Sequence, residues 1–339
     1  MEKLVECVPN FSEGRDMAVI GRIADAIRNA GTAADKVKIL DIDSGNAANR
    51  TVITFAGSPE AVIEAAFQAV RIAGDLIDMR AQHGAHPRMG ATDVLPIVPV
   101  SGISLEECAT LARNLAKRIY EDLGIPCYCY EASASRPERK RLEVCRAGEY
   151  ESLPSKMSDP LARPDFGPAH FTAKAAKSGA SIVGARNYLI AVNFNLNTSD
   201  KEKAMEIAKD VRESGRIVTN GNVKARIPGT LPGVKAIGWY IDEYGFAQVS
   251  MNITDITSVP LHKAFEEVEK SAKAHGFLVT GTEIIGLVPL KVLTDAGRHF
   301  SEKTLDGNPT DFVETAIRRM NLDQIRPFVP QKRIIEYLM

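Results

Sequence analysis

The stretch HGAHPRMG, from His83 to Gly90, concentrates reactive and conformation-setting side chains more densely than any other part of the chain. Of the 6 histidines, His83 and His86 both fall here, beside Arg88, Pro87 and two glycines. An imidazole titrates near neutrality, so it can accept a proton from one reacting atom and return it to another. Pro87 steers His86 into extended backbone while Gly84 and Gly90 bracket it with backbone freedom, so the stretch reads as a shaped turn and not as a helix. That shape bears on zinc. An extended His-x-x-His pair needs a third ligand, and neither a His-Glu-x-x-His pattern nor a cysteine cluster supplies one, so no metal is expected. His86 is expected to carry the acid–base chemistry. The plain alternative has Arg88 salting the surface while His86 bonds only to backbone.

A second cluster, DIDSGNAANR, runs from Asp41 to Arg50. Asp41 and Asp43 sit at alternate positions of a strand, and Asn49 and Arg50 return on its hairpin partner. Carboxylates on one face beside an arginine can hold a histidine or bind a polar substrate, and they can equally be turn formers. In VECVPNF, a catalytic role for Cys7 is disfavoured because burial keeps a thiol protonated. GxGxxG and GxxxxGK[ST] are absent, which removes the ordinary nucleotide sites. The run RPERKR, at 136–141, reads as a solvated face because Glu138 interrupts it.

The elements that must position these residues follow from periodicity. Leu4 to Pro9 reads as a strand, Asp16 to Asn29 as a helix, Val37 to Asp43 and Asn49 to Ala56 as a hairpin. Ser58 with Pro59 opens a helix, and Asp93 to Val100 is a strand. Ser104 and Glu107 box the start of a helix that Gly124 stops, before a short strand from Ile125 to Tyr130 on which Cys127 and Cys129 share a face. The order β-α-β-β-α-β returns in the second half. There Tyr188 to Leu196 is a strand, Ser199 and Glu202 box a helix, Val234 to Asp242 and Phe246 to Ile253 pair, and Pro260 to His275 and Leu278 to Glu283 complete the unit. The fold class expected is therefore α+β, with two ferredoxin-like subdomains, 1–180 and 181–339, and a ligand cleft between them. The segment from Arg136 to Ala185 is a linker or a functional cover. The C-terminal Phe328, Ile334, Ile335 and Tyr337 cover a core or a subunit interface.

Bulk properties set the outer limits. The 339 residues suffice for about two domains of ~150 each. With 45% hydrophobic and 25% charged residues and a formal net charge of -1, the chain is ordinary globular material with no general attraction to nucleic acid. It lacks a signal peptide pattern and any long apolar run, so a cytoplasmic location without membrane contact is expected. The 5 cysteines, an odd number, suit reduced and buried thiols.

Taken together, the blocks LVECVPNFSEG, DIDSGNAANRTVITF, HGAHPRMGATDVLPIVPV, RAGEYESLP, PDFGP, GARNYLIAVNFNL, GWYIDEYGFAQVSMN, GLVPLKVL and RIIEYL resemble the glutamate formimidoyltransferases, the formiminotransferase half of formiminotransferase–cyclodeaminase. The blocks span almost the whole chain in order. The resemblance implies two ferredoxin-like subdomains and a reaction in histidine degradation: the formimino group of N-formimino-L-glutamate passes to tetrahydrofolate, giving 5-formimidoyltetrahydrofolate and L-glutamate. It implies His86 as catalytic residue and Asp43 as its acidic partner. It implies folate contacts from Gly167 onward, through Pro168, Ala169, His170, Phe171 and Thr172 to Gly179. His83, Arg50, Arg88 and Arg186 are weaker candidates for holding substrate. Tetrahydrofolate would be the acceptor co-substrate, the protein a homodimer, and any cyclodeaminase a separate chain. Two other readings remain: transfer of a formyl group from N-formylglutamate, and a non-catalytic module binding folate or an amino acid.

Overall fold

The computed structural model describes residues 3–31, 35–46, 48–84, 87–220, 223–301 and 308–338. The chain divides into two compact units, Met1–Asn187 and Tyr188–Met339. This division falls after residue 180, the boundary expected from the sequence, because the short strand at 181–185 is hydrogen-bonded into the first sheet.

In the first unit, β1 (Leu4–Cys7) and β2 (Asn10–Phe11) form one path broken at Val8 and Pro9. Helix α1 (Met17–Arg28) begins at Asp16, whose carboxylate accepts from the backbone N–H groups of Ala18 and Val19. Strands β3 (Lys38–Gly45) and β4 (Arg50–Gly57) form the expected hairpin. Helix α2 (Pro59–Leu76) has Ser58 as its cap. β5 (Thr92–Ser101) precedes α3 (Leu105–Leu123), where both halves of the Ser104–Glu107 capping box are made and Gly124 closes the helix at φ 68°. β6 (Cys127–Glu131), the short helices α4 (Leu142–Arg146), α5 (Leu153–Ser158) and α6 (Ala173–Ser178), and β7 (Ser181–Ala185) follow.

β1 and β2 lie between β4 and β5, antiparallel to both, with β3 outside β4. β7 then adds parallel to β5, and β6 parallel to β7. Alternation along the strands divides the buried residues between two faces. Val5, Cys7, Phe55, Ile97, Cys127 and Cys129 join Ile23, Ile27, Val70 and Leu115 from α1, α2 and α3 in one core. Tyr128, Tyr130, Val94 and Ile182 pack with Met89 and Leu153 in the other. All five thiols are buried, and burial pushes the Cys7 thiol well above its usual range. The stretch 136–185 is thus part of the unit and not a linker. Nor is RPERKR only a solvated face: Arg139 is buried and pairs with Asp165 at 2.6 Å.

In the second unit, β8 (Ile190–Leu196) leads to α7 (Lys201–Val211), whose cap is Asp200, bonded by the N–H groups of Glu202 and Lys203, and not the expected Ser199–Glu202 box. A two-stranded ribbon of β9 (Arg216–Asn220) and β10 (Val223–Ile227) intervenes. β11 (Val234–Ile241), β12 (Phe246–Ile253), α8 (Leu261–Ala274), β13 (Val279–Ile285), α9 (Leu290–Phe300) and α10 (Pro309–Met320) complete it. The sheet order is β11-β12-β8-β13, antiparallel throughout. Val192, Phe194, Val249 and Ile284 form its core with Ile207, Phe265 and Leu293. Ile334 and Ile335 are buried there too and Phe328 packs against the cluster, so these three cover this core, whereas Tyr337 is exposed. The protein is α+β in class. Among the described residues no helix is long and apolar enough to cross a membrane.

Candidate functional site

The loop joining α2 to β5 carries HGAHPRMG, and His86 lies outside the described residues. What is described are the residues on either side, and the fold grips both. The Asn49 side-chain amide donates to the His83 carbonyl at 2.9 Å and accepts from the Gly14 N–H at 3.0 Å. Asn49 ends the β3–β4 hairpin with φ 48°, a left-handed conformation that asparagine tolerates. Gly84 passes so close to Ala48 and Asn49 that a Cβ would collide with the Ala48 carbonyl, which is why this position takes glycine.

The far side rests on Asp93, at the start of β5 and fully buried at 0% exposure. One oxygen accepts from the Met89 N–H at 2.8 Å. The other meets Arg50 at 2.7 Å and Arg146 at 2.8 Å. Arg50 also donates to Asn10 Oδ1 at 3.0 Å and to the Pro87 carbonyl at 3.5 Å. Burial pushes the Arg50 guanidinium pKa down and the Asp93 charge opposes this. These contacts gather residues from four segments beneath one loop. Their chemistry is structural, since the Asp93 oxygens are spent on three charged or backbone donors.

Arg88 is also committed. It is buried, not spread over the surface, and donates to both oxygens of Glu151 at 2.7 and 2.9 Å, to Glu149 at 3.2 Å and to the Gln82 side chain at 3.1 Å. The hydrogen bonds from Arg88 hold the Glu151 carboxyl below its ordinary range. Tyr150, between the two glutamates, stacks edge-on to Phe171 with centroids 6.4 Å apart and donates from its hydroxyl to the Ala176 carbonyl at 2.6 Å. The segment expected to contact folate therefore abuts the histidine loop. Gly179, at φ 67°, bridges Gly90 backbone to backbone. Thr172 caps α6 through its hydroxyl, Gly167 rests on Pro126 and Pro164, Pro168 is half-buried, and Ala169 and His170 are exposed.

Asp43 is exposed on β3 opposite Val52, on the hairpin whose end grips His83. Arg186 stands apart from this group. It follows β7, and its N–H donates to the Ile97 carbonyl at 3.2 Å while its guanidinium lies near Glu6 and Tyr130. Burial lifts the Glu6 carboxyl to about 7, and Arg186 opposes this lift. Sequence reasoning placed Asn49 beside Arg50 in the second cluster, but it did not single out Gln82, Asp93, Arg146, Glu149 or Glu151 as parts of the site. The GEYES run offered a signal, two acids flanking a tyrosine, but its arginine partner is 61 to 63 residues away. Among the described residues no group of three or more histidines, cysteines or carboxylates is placed to hold a metal ion.

Residues 4–186 match the formiminotransferase domain, N-terminal subdomain, and residues 191–339 match the formiminotransferase domain. The chain is 44% identical to formimidoyltransferase-cyclodeaminase from Rattus norvegicus over 100% of its own length, spanning 60% of that longer protein. It is 41% identical to glutamate formimidoyltransferase from Thermoplasma acidophilum, over 88% of this chain and 92% of that one. The glutamate formimidoyltransferase of Streptococcus pyogenes serotype M1 is likewise 41% identical, over 88% and 94%. Matched along both units, the chain belongs to the formiminotransferase family.

Proposed function

We propose that the protein is a glutamate formimidoyltransferase, which moves the formimino group of N-formimino-L-glutamate to N5 of tetrahydrofolate and releases L-glutamate. The observation that carries this reading is the grip on both sides of His86, made by the same unit that locks Gly179 against Gly90. Such anchoring is what an acid–base group needs, because misplacement by an ångström costs orders of magnitude in rate. The strand orders of the two sheets also suit a pair of ferredoxin-like units, with β6 and β7 as an extension of the first.

In this reading N5 of the folate attacks the formimino carbon, forming a C–N bond and a tetrahedral centre. His86 takes the proton from N5. The centre then collapses, the bond from carbon to the glutamate nitrogen breaks, and His86 returns the proton to that nitrogen. Asp43 orients the imidazole and stabilises its cation, a role supported by its place on the hairpin that binds the His83 carbonyl. Arg50 and Arg88 act as positioning residues, since their donors are engaged by Asp93, Glu149 and Glu151. The segment from Gly167 to Gly179 contacts the folate, with Phe171 and exposed His170 offering ring surface.

His86→Ala is expected to keep the wild-type circular dichroism and unfolding midpoint while turnover falls about 100-fold or more. Near-wild-type turnover would overturn the assignment. N-formyl-L-glutamate, tested beside the formimino donor with the same tetrahydrofolate, separates formimino from formyl transfer.

A further inference from the structure

The second unit carries a polar constellation that the histidine loop does not use. On β8 the side chains of Val192, Phe194 and Leu196 enter the core, so Asn193 and Asn195 project from the opposite face. Register places Trp239 of β11 beside Gln248 of β12, Gln248 beside Asn195, and Asn193 beside Glu283 of β13. The amides are oriented end to end. Trp239 Nε1 donates to Gln248 Oε1 at 2.9 Å, Gln248 Nε2 to Asn195 Oδ1 at 2.7 Å, and Asn195 Nδ2 to Gln324 Oε1 at 2.9 Å. Gly281 leaves the space that Gln324 fills, for a Cβ there would collide with the glutamine side chain.

Within this row Glu283 is only 7% exposed. Asn193 Nδ2 approaches one oxygen at 3.1 Å and Gln248 Nε2 the same oxygen at 3.5 Å. Tyr244 Oη approaches the other at 3.4 Å and Arg326 Nη2 at 3.5 Å. Protein hydrogen bonds ordinarily close to about 3.2 Å or less, so three of these four are loose. A buried carboxylate left with loose donors is costly to the fold, and its oxygens retain accepting capacity. Two contacts reach each oxygen, and the long ones leave both oxygens able to take a shorter donor.

We propose that Glu283 and its amide neighbours form a binding subsite for a planar N–C–N group bearing two parallel N–H donors, received by both carboxylate oxygens. Trp239 and the Tyr244–Phe246 pair, with ring centroids 5.7 Å apart, supply aromatic surface beside it. The subsite rests on the formimidoyltransferase reading, in which such an edge occurs twice: in the 2-amino-4-oxopyrimidine ring of tetrahydrofolate and in the formamidine of the donor.

Calorimetry on the full chain tests it, with tetrahydrofolate and N-formimino-L-glutamate titrated separately into the wild type and Glu283→Gln, whose side chain is isosteric but presents only one acceptor oxygen. The expected result is a Kd raised about tenfold or more for one ligand. Loss for tetrahydrofolate alone assigns the edge to the pyrimidine, and loss for the donor alone assigns it to the formamidine. Unchanged affinity for both ligands overturns the subsite. A parallel measurement on the wild type does not depend on the variant folding: tetrahydropterin against its 2-desamino analogue, and N-formimino- against N-formyl-L-glutamate. No discrimination within either pair also overturns it. A wild type that binds neither substrate and shows no turnover would instead strike the formimidoyltransferase reading itself, a result distinct from either.

Discussion

Asp93 beneath the histidine loop and Glu283 in the second unit's sheet are both buried carboxylates, yet their surroundings differ in kind. Asp93 has two arginines and a backbone N–H within 2.8 Å. Glu283 has one contact at 3.1 Å and three at 3.4 or 3.5 Å. A carboxylate with short bonds to every neighbour acts as a brace: it fixes where backbone and cations sit, and nothing else can reach it. One with long bonds is held more loosely by the protein, and a ligand can supply shorter ones. Burial alone does not distinguish these two acids; the lengths of the bonds around them do.

Replacing each acid would sharpen this contrast. Asp93→Asn removes the counter-charge of the buried Arg50 and the partly buried Arg146 and should cost about 3–5 kcal/mol of unfolding free energy, measured by urea denaturation. A loss below about 1 kcal/mol would break the contrast, because Asp93 would then be no brace. Glu6 offers an intermediate case. Its carboxyl is raised in the folded protein to about 7 from an ordinary 4.5, so the fold favours the neutral form. The stability this contributes is complete below pH 4.5 and lost as pH rises through about 7. Glu6→Gln should therefore unfold at nearly the wild-type urea midpoint at low pH and outlast the wild type at pH ~8, by up to about 3 kcal/mol. Equal midpoints at both pH values would show that Glu6 is solvated. The smallest stability effect is expected at Glu283→Gln, within about 1 kcal/mol of wild type in the absence of ligand.

Much of the fold was legible because its signals are local. The Ser104–Glu107 box, Ser58 with Pro59, Gly124 and the β3–β4 hairpin depend on neighbours within a few residues, and all formed. The Asp200 cap was misread as Ser199 because adjacent residues both suit the position and only the backbone decides between them. β7 was hidden for another reason. SIVGA is short, buried on both faces and paired in parallel with strands 50 to 90 residues away, so it carries no alternation to read. For the candidate site, the density of HGAHPRMG marked the loop, while Asp93 looked like an ordinary strand residue. Its meaning comes from Arg50 and Arg146, which only the folded chain brings to it. Glu283 was equally silent, being one charged residue in a strand until β8 and β12 set amides beside it.

The crossing of Gly90 and Gly179 carries a consequence for anyone who would re-engineer this protein. Each glycine lies where a Cβ would strike the other's backbone neighbourhood: Ala180 from one side, Met89 and Gly90 from the other. A side chain added at either position has no room, and trimming the opposite residue cannot create any, because nothing smaller than glycine exists. The two segments consequently behave as a single transplantable block. A chimera that imports a foreign histidine loop without its matching 167–180 segment, or the reverse, would inherit a joint with no tolerance for adjustment, so exchanges of substrate specificity between relatives should move both segments together.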